Sequence, residues 1–380
     1  MAQSAQVFLQ GLFPPSNSSF EVLGDGTLVT TPGGGDQFPI VHTVNANSPE
    51  TIWLRGDDSC PQNIKGFGQF VVSQQFKDLQ SSTMSFYESF QDILDGVIPF
   101  SDLSYLNAYE IYDYINVGVI HNATITKRVS AAELKQLRIL ADSREWALNG
   151  NITSATPNPI SVGGSTLATR LLGEITVGTK LPPKRMSVFF GSYDTFLSFF
   201  ALTSLPSVNS NFRGLPDYGS TIAFELFSTI PTPMYPEDFF VRFLFRNGTA
   251  PASVLREYPL FGRPSTEAVM GYPEFRSLMD TIAIQSVPQW CDLCVSQEDF
   301  CPTDNSNTAS APNPPPLYNS SKGMKPEIAG VLGAMCTLAA ALIVLAILML
   351  MGVKVSRKKK RSAKIEKLES TSTEKLDVEV

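Results

Sequence analysis

Histidine is nearly missing from this chain, with only His42 and His121 among 380 residues. Chemistry that gathers several imidazoles around a metal or a reacting group is therefore excluded. His42 lies in a short apolar stretch and His121 stands next to Asn122, and each reads as a structural histidine. Basic residues are also scarce where they would matter for nucleic acid. Nine of the 29 Lys and Arg but only 5 of the 36 Asp and Glu follow residue 353, leaving 20 basic against 31 acidic groups in residues 1–353. A surface of that sign cannot displace the counterions of a phosphate backbone, so no nucleic-acid partner is expected. The start, MAQSAQVFLQGLFPP, has neither a basic region nor an apolar run long enough for a secretory signal. It reads as the end of a helix stopped by Pro14 and Pro15.

Charge is wholly absent from one stretch. Ile328 to Val353 is 26 residues without Asp, Glu, Lys or Arg. At helical rise this run is about 39 Å long, enough for a hydrocarbon core of roughly 30 Å. Lys354, Arg357, Lys358, Lys359, Lys360 and Arg361 follow at once. The positive-inside rule then predicts a single-pass type I protein, with residues 1–325 extracellular or lumenal at the plasma membrane or an endomembrane such as the vacuole. Ala329, Gly330, Gly333 and Ala334 read as ordinary small residues of a membrane helix, and the basic cluster as a stop-transfer anchor. A translocated domain of this length needs a signal, so the chain is expected to be incomplete at its start or to have its initiator upstream.

Five Asn-x-Ser/Thr sequons, at Asn17, Asn122, Asn151, Asn247 and Asn319, all precede the anchor and agree with lumenal glycosylation. Cys60, Cys291, Cys294 and Cys301 share that side, while Cys336 lies within the apolar run as an inert thiol. Four cysteines in an oxidising compartment predict two disulfides, with three pairings open. Although Cys291 and Cys294 have zinc-type spacing, no histidine lies near them in sequence, so no metal and no cofactor are expected.

Along the chain, residues 20–48 are turn-rich; Gly33, Gly34 and Gly35 read as a surface loop and 38–44 (FPIVHTV) as a short strand. From about 66 to 150 the pattern is helical. Ser130 and Glu133 form a capping box ahead of a face carrying Leu134, Leu137 and Leu140, and Asn149-Gly150 ends that helix. After residue 160 the pattern becomes α/β. Gly163-Gly164 precedes a helix at 166–175, MSVFFG (186–191) reads as a buried strand, and an apolar helix begins near Thr195. Thr221–Ser228 and Phe239–Arg246 read as strands, the second with Phe239, Val241, Phe243 and Phe245 on one face. Residues 302–327, rich in Pro, Ser, Thr and Asn, read as a stalk.

Several stretches carry a resemblance: FLQGLFPP (8–15), PIVHTV (39–44), YLNAYEIYDYINVGVIHNATI (105–125), LRILADSREWALNGN (137–151), GGSTLATRLLGEI (163–175), FFGSYDTFLSFFALTSLP (189–206), DYGSTIAFELFS (217–228), VRFLFRNGT (241–249) and EYPLFG (257–262). Together they make 8–301 resemble the histidine acid phosphatases, the branch of phytases and prostatic-type enzymes, and most of all their membrane-anchored fungal members. The resemblance implies a phosphoglycerate-mutase-like α/β core with a mostly helical cap, N-terminally incomplete, followed by one transmembrane helix. The implied boundaries are an ectodomain at 1–301 (cap about 50–160, core segments about 161–290), the stalk at 302–327, the anchor at 328–353 and a basic cytoplasmic tail at 354–380.

That family hydrolyses phosphomonoesters through a nucleophilic histidine in an Arg-His-Gly-x-Arg-x-Pro motif, whose arginines hold the phosphoryl oxygens. No such motif exists in this chain. The family's later His-Asp pair falls on Tyr193-Asp194. The resemblance therefore implies Asp194 as proton donor to the leaving alcohol, while Tyr193 at the histidine position brings a hydrogen-bond donor without positive charge. Asp194 also has a structural reading, as the cap of the helix near Thr195. The resemblance further implies a Cys60–Cys291 disulfide and a local Cys294–Cys301 loop. The expected function is that of an acid phosphatase family member lacking its nucleophile; the alternative is a non-catalytic anchored glycoprotein for binding or display on the same fold. Substrate and oligomeric state are not encoded legibly.

Overall fold

The computed structural model describes residues 2–14, 20–30, 39–180 and 186–301. The chain divides into two units, Met1–Ala309 and Ser310–Val380, and the described residues all belong to the first. Asn17, Gly33 to Gly35, Asn319, Cys336, the stalk, the apolar run at 328–353 and the basic tail lie outside the described residues. Among the described residues no helix is long and apolar enough to cross a membrane.

Helix dominates the first half. Helix α1 (Ala2–Leu12) is followed by an antiparallel hairpin of β1 (Phe20–Val22) and β2 (Leu28–Thr30). Then come α2 (Pro61–Val71), α3 (Gln74–Glu88), α4 (Gln91–Leu94), α5 (Ala108–His121), α6 (Ala123–Arg128) and α7 (Ala131–Asn149). Helix α7 starts where its sequence says it should. The Glu133 N–H donates to Ser130 Oγ at 3.2 Å and the Ser130 N–H donates back to Glu133 Oε2 at 2.8 Å, satisfying two orphan donors of the first turn. Its inner face buries Leu137, Leu140 and Ala141 against Ile111 and Ile115 of α5 and Phe76 and Tyr87 of α3. Gly150 closes the helix, its N–H donating to the Trp146 carbonyl at 2.8 Å.

The second half mixes helix and sheet. It contains α8 (Val162–Gly178), α9 (Tyr193–Leu202), α10 (Leu205–Val208), β3 (Thr221–Ser228), β4 (Phe239–Arg246), β5 (Arg256–Tyr258), β6 (Val269–Gly271), α11 (Tyr272–Ile282) and α12 (Val287–Cys294). Strand β4 is the centre of a four-stranded antiparallel sheet, pairing with β3 along its whole length (Thr221 opposite Arg246, Ser228 opposite Phe239) and with β5 and β6. The alternation read from the sequence holds as far as Phe243: Phe239, Val241 and Phe243 bury their side chains while Phe240 and Arg242 stay partly exposed, but Leu244 is buried and Phe245 only partly so. Phe243 lies 5.3 Å from Phe224 and 6.4 Å from Phe199, centroid to centroid, so sheet and α9 share one aromatic core. Helices α8 and α9 cross at Gly164, where an added Cβ would come within 2.5 Å of the Phe199 backbone nitrogen. The two glycines therefore belong inside α8, for close packing, and do not precede it.

Two predicted strands are absent. Residues 186–191 are extended without a ladder: Met186 and Val188 are exposed, Phe189 lies under the Arg170 guanidinium at 4.9 Å, and Phe190 meets Phe8 of α1 at 5.7 Å. Residues 39–45 likewise form no strand, and Ile40 and Val44 face outward. An apolar run becomes a strand only when a neighbour supplies backbone partners, and among the described residues none pairs with either stretch.

A third small core surrounds the cysteines. Trp290 is fully buried and its indole N–H donates to the Gly56 carbonyl at 2.7 Å. The disulfides are Cys60–Cys294 and Cys291–Cys301, which corrects the pairing of Cys60 with Cys291 and of Cys294 with Cys301. Local geometry gives the reason. Cys294, the last residue of α12, lies 4.6 Å (Cα to Cα) from Cys60 at the start of α2. Val295 then adopts a left-handed conformation (φ 50°), the Ser296 N–H returns to the Cys291 carbonyl at 3.2 Å, and the reversed chain carries Cys301 back to Cys291.

Candidate functional site at the N-terminus of α9

Tyr193 and Asp194 are the first two residues of α9, and a helix turn of about 100° per residue sends them to different surroundings. The Tyr193 ring packs on Tyr109 of α5 with centroids 4.5 Å apart, and its hydroxyl donates to Glu145 Oε2 at 3.2 Å. Glu145 is ion-paired with Arg144, and both are buried at 3% and 5% exposure. Burial pushes the Glu145 carboxyl upward and the neighbouring Arg144 charge pulls it back. Burial, with the Glu145 charge next, drives the Tyr193 phenol far above its usual range. Tyr193 therefore stays a neutral hydroxyl whose hydrogen is committed to a carboxylate.

Asp194 turns the other way. Its Oδ1 accepts the Thr195 N–H at 2.8 Å, while the Thr195 hydroxyl donates to the Leu54 carbonyl at 3.0 Å. This ties α9 to the turn at 54–60, which carries Asp57 and Asp58. The N-terminal turn of α8 closes the third side, since a Cβ at Gly163 would stand 3.2 Å from Asp57 Oδ1 and 3.7 Å from the Thr195 Cα. Two helix N-termini thus converge on Asp57.

Asp57 Oδ1 makes no hydrogen bond among the described residues. Its pKa is pushed up to about 8, first by burial and then by the negative charges of Asp194 and Asp58, against the weaker pull of Arg55. A helix N-terminus favours the anion by about 0.3–1 kcal/mol, less than one pH unit, so burial and like charge win. Asp58 is shifted up as well, by burial, although Arg55 Nε pairs with its Oδ2 at 2.8 Å. Beside Asp194 there is therefore a carboxyl that keeps its proton through neutral pH.

The sequence-derived residues are only partly brought together. Tyr193 and Asp194 share a helix turn and serve opposite sides of it. Segment 189–192 ahead of them is extended but not a strand, so the expected junction of strand end and helix start is not formed. Asp194 does bond the first turn, as its structural reading required, although the helix begins at Tyr193 and Ser192 is the N-cap residue. His42 is exposed in the irregular 39–45 stretch and His121 is exposed at the end of α5. Asn122, Asn151 and Asn247 are exposed. No group of three or more His, Cys, Asp or Glu is placed to hold a metal ion among the described residues.

Asp57, Arg144 and Glu145 escaped the sequence reading. The last two had a signal: counting from Leu137 through Ala141 in helical steps puts 144 and 145 on the buried face of α7, where a charge must find a partner. Asp57 had none, because its burial comes from α8 and α9, more than a hundred residues away in sequence. Comparison with family models and with curated proteins finds no match to this chain.

Proposed function

We propose that this chain carries the leaving-group side of a histidine-acid-phosphatase-type site, on a phosphoglycerate-mutase-like core anchored by 328–353, and does not hydrolyse phosphomonoesters by itself. The observation that supports it is Asp194 at a helix N-terminus with the protonated Asp57 beside it. In such a site Asp194 gives a proton to the alkoxide oxygen as the P–O bond breaks, the role the resemblance implies for it. Attack on phosphorus needs a nucleophile and cationic donors for the phosphoryl oxygens. The sequence lacks the Arg-His-Gly motif that would supply both, and Arg55 is engaged with Asp58.

One observation favours the second reading, a non-catalytic glycoprotein for display or binding. The Tyr193 hydroxyl is bonded to Glu145, whereas the family's histidine at that position contacts phosphate. A direct test compares the purified 380-residue chain with the same chain preceded by the Arg-His-Gly segment of a family member, using p-nitrophenyl phosphate and an alkyl phosphate at acidic pH. The first proposal expects no turnover from the former and turnover from the latter. It further expects Asp194→Asn to lower kcat by about 100-fold or more on the alkyl phosphate, whose leaving group needs a proton. Turnover by the 380-residue chain, or extended-chain activity indifferent to Asp194→Asn on both substrates, sinks it.

A further inference from the structure

An open groove of about 700 Å³ runs between α7 and the turn at 210–215, lined by Arg138, Trp146 and Asn151 on one side and Asn211, Arg213 and Asn247 on the other. That volume is in the range of small-ligand clefts. Two of its lining residues, Asn151 and Asn247, are sequon asparagines, and Asn247 also lines an adjoining hollow of about 210 Å³. Asn122, the third sequon among the described residues, lines neither.

The electrostatics of the groove disfavour an anionic ligand. Arg138 is its most enclosed cation, and its guanidinium is already spent on Asp142 and Asp217 (2.8 Å each), the Tyr112 hydroxyl (2.9 Å) and the Leu215 carbonyl. Arg213 lies over the Trp146 ring at 5.8 Å. What remains is a lining of amide and hydroxyl groups beside the Arg213 guanidinium, with Ile139, Trp146 and Ala147 supplying apolar surface. The Asn247 amide is held by its oxygen, which accepts the Asp217 N–H and the Ser220 hydroxyl at 2.9 Å each. Its Nδ2 makes only a 3.5 Å contact to Asp217 Oδ2. A glycosylated asparagine keeps its carbonyl oxygen and one Nδ2 hydrogen, so this arrangement survives sugar attachment and fixes the direction in which the sugar leaves.

We infer that the groove is the seat of the chain's own N-linked glycans, with the sugars on Asn151 and Asn247 lying in it and bridging the end of α7 to the end of β4. The occupant is a neutral acetamido sugar. Its hydroxyl and acetamide groups match the lining, and its two attachment points begin there, so no search in solution precedes binding. This rests on the lumenal placement of residues 1–325 but not on any phosphatase activity.

The test uses residues 1–380 behind an added secretory signal peptide, made in a eukaryotic host and digested, while folded, with a peptide N-glycosidase, each site being followed by mass spectrometry. Asn122 serves as internal control. Expected is release at Asn151 and Asn247 at least about tenfold slower than at Asn122, because cleavage waits on local opening of the groove, with the three rates converging after denaturation. In parallel, Thr153→Ala with Thr249→Ala, which removes both sequons and leaves the Asn247 hydrogen bonds in place, raises hydrogen exchange in 138–147 and 210–216, and Thr124→Ala does not. Equal native release rates at all three sites overturn the inference, as does a glycan found at Asn122 alone. No glycan at any of the three, in the chain so translocated, also overturns it, and the phosphatase assay is unaffected by either result.

Discussion

Replacing Asp57 by Asn should change how stability depends on pH more than it changes stability itself. In the native chain the Asp57 carboxyl holds its proton to about pH 8, against 3.8 in the unfolded chain, because burial and the charges of Asp194 and Asp58 all disfavour the anion. Between those values the native state binds one more proton than the unfolded state. Each unit of rising pH then lowers the unfolding free energy by about 1.4 kcal/mol. The contribution is complete below pH 3.8, is lost as the pH rises through the window, and is flat above 8. From pH 5 to pH 7 this amounts to roughly 3 kcal/mol, large beside the 5–15 kcal/mol of a typical domain. Asp58, Asp142 and Glu145 are also shifted upward and tilt the background the same way, so the measurement is the difference between parent and variant. Urea unfolding with disulfides intact, at half-unit steps from pH 4.5 to 8.5, should show the Asp57→Asn variant gaining on the parent steadily across the window. Asp194→Asn should move the parent's midpoint to lower pH by removing the nearest like charge. A difference between Asp57→Asn and parent that stays constant from pH 5 to 8 would refute the reasoning, since Asp57 would then be ionised in the folded chain throughout.

Other outcomes follow from single contacts. Non-reducing peptide mapping should recover Cys60 joined to Cys294 and Cys291 joined to Cys301, and Cys60→Ser with Cys294→Ser should cost more than Cys291→Ser with Cys301→Ser. Their loops of 234 and 10 residues correspond to about 5 and 3 kcal/mol of chain entropy. Glu145→Ala, which takes from buried Arg144 its ion-pair partner and leaves it the charge of Glu110, should destabilise by about 2–4 kcal/mol, whereas Tyr193→Phe, which removes one hydrogen bond to Glu145, should cost about 1–2 kcal/mol by thermal or urea unfolding. Ser59 holds a left-handed conformation (φ 55°), so Ser59→Gly should raise stability by up to about 1 kcal/mol, visible as a higher urea midpoint. Gly164→Ala should lower it by about 1–3 kcal/mol, because backbone of α9 occupies the space a methyl needs.

The sequence was most legible where structure is local. The capping box of α7, the ends of β3 and the alternation of β4 as far as Phe243 came out as read, because caps and period-two burial depend on residues a few positions apart. It was least legible where a partner decides the outcome. FPIVHTV and MSVFFG have the composition of strands but, among the described residues, no neighbour to pair with. Cysteine pairing turned on the left-handed Val295, which spacing alone does not reveal. At the candidate site, Tyr193 and Asp194 were found through family resemblance and Asp57 was not found at all. Adjacent letters at 193 and 194 gave no hint that their side chains part company, one entering the buried ion pair of α7 and the other facing the turn at 54–60.

The bond between Cys60 and Cys294 has a consequence for how the molecule is made. The thiol that starts α2 is synthesised 234 residues before the one it must meet. At ordinary elongation rates that interval is roughly 10–50 s. Throughout it Cys60 has no native partner, and the nearest later cysteine to emerge, Cys291, is the wrong one. Sorting the two falls to α12, whose last residue, Cys294, is the one brought to 4.6 Å (Cα to Cα) from Cys60. Helix α12 thus acts as a proofreader for a choice opened at Cys60.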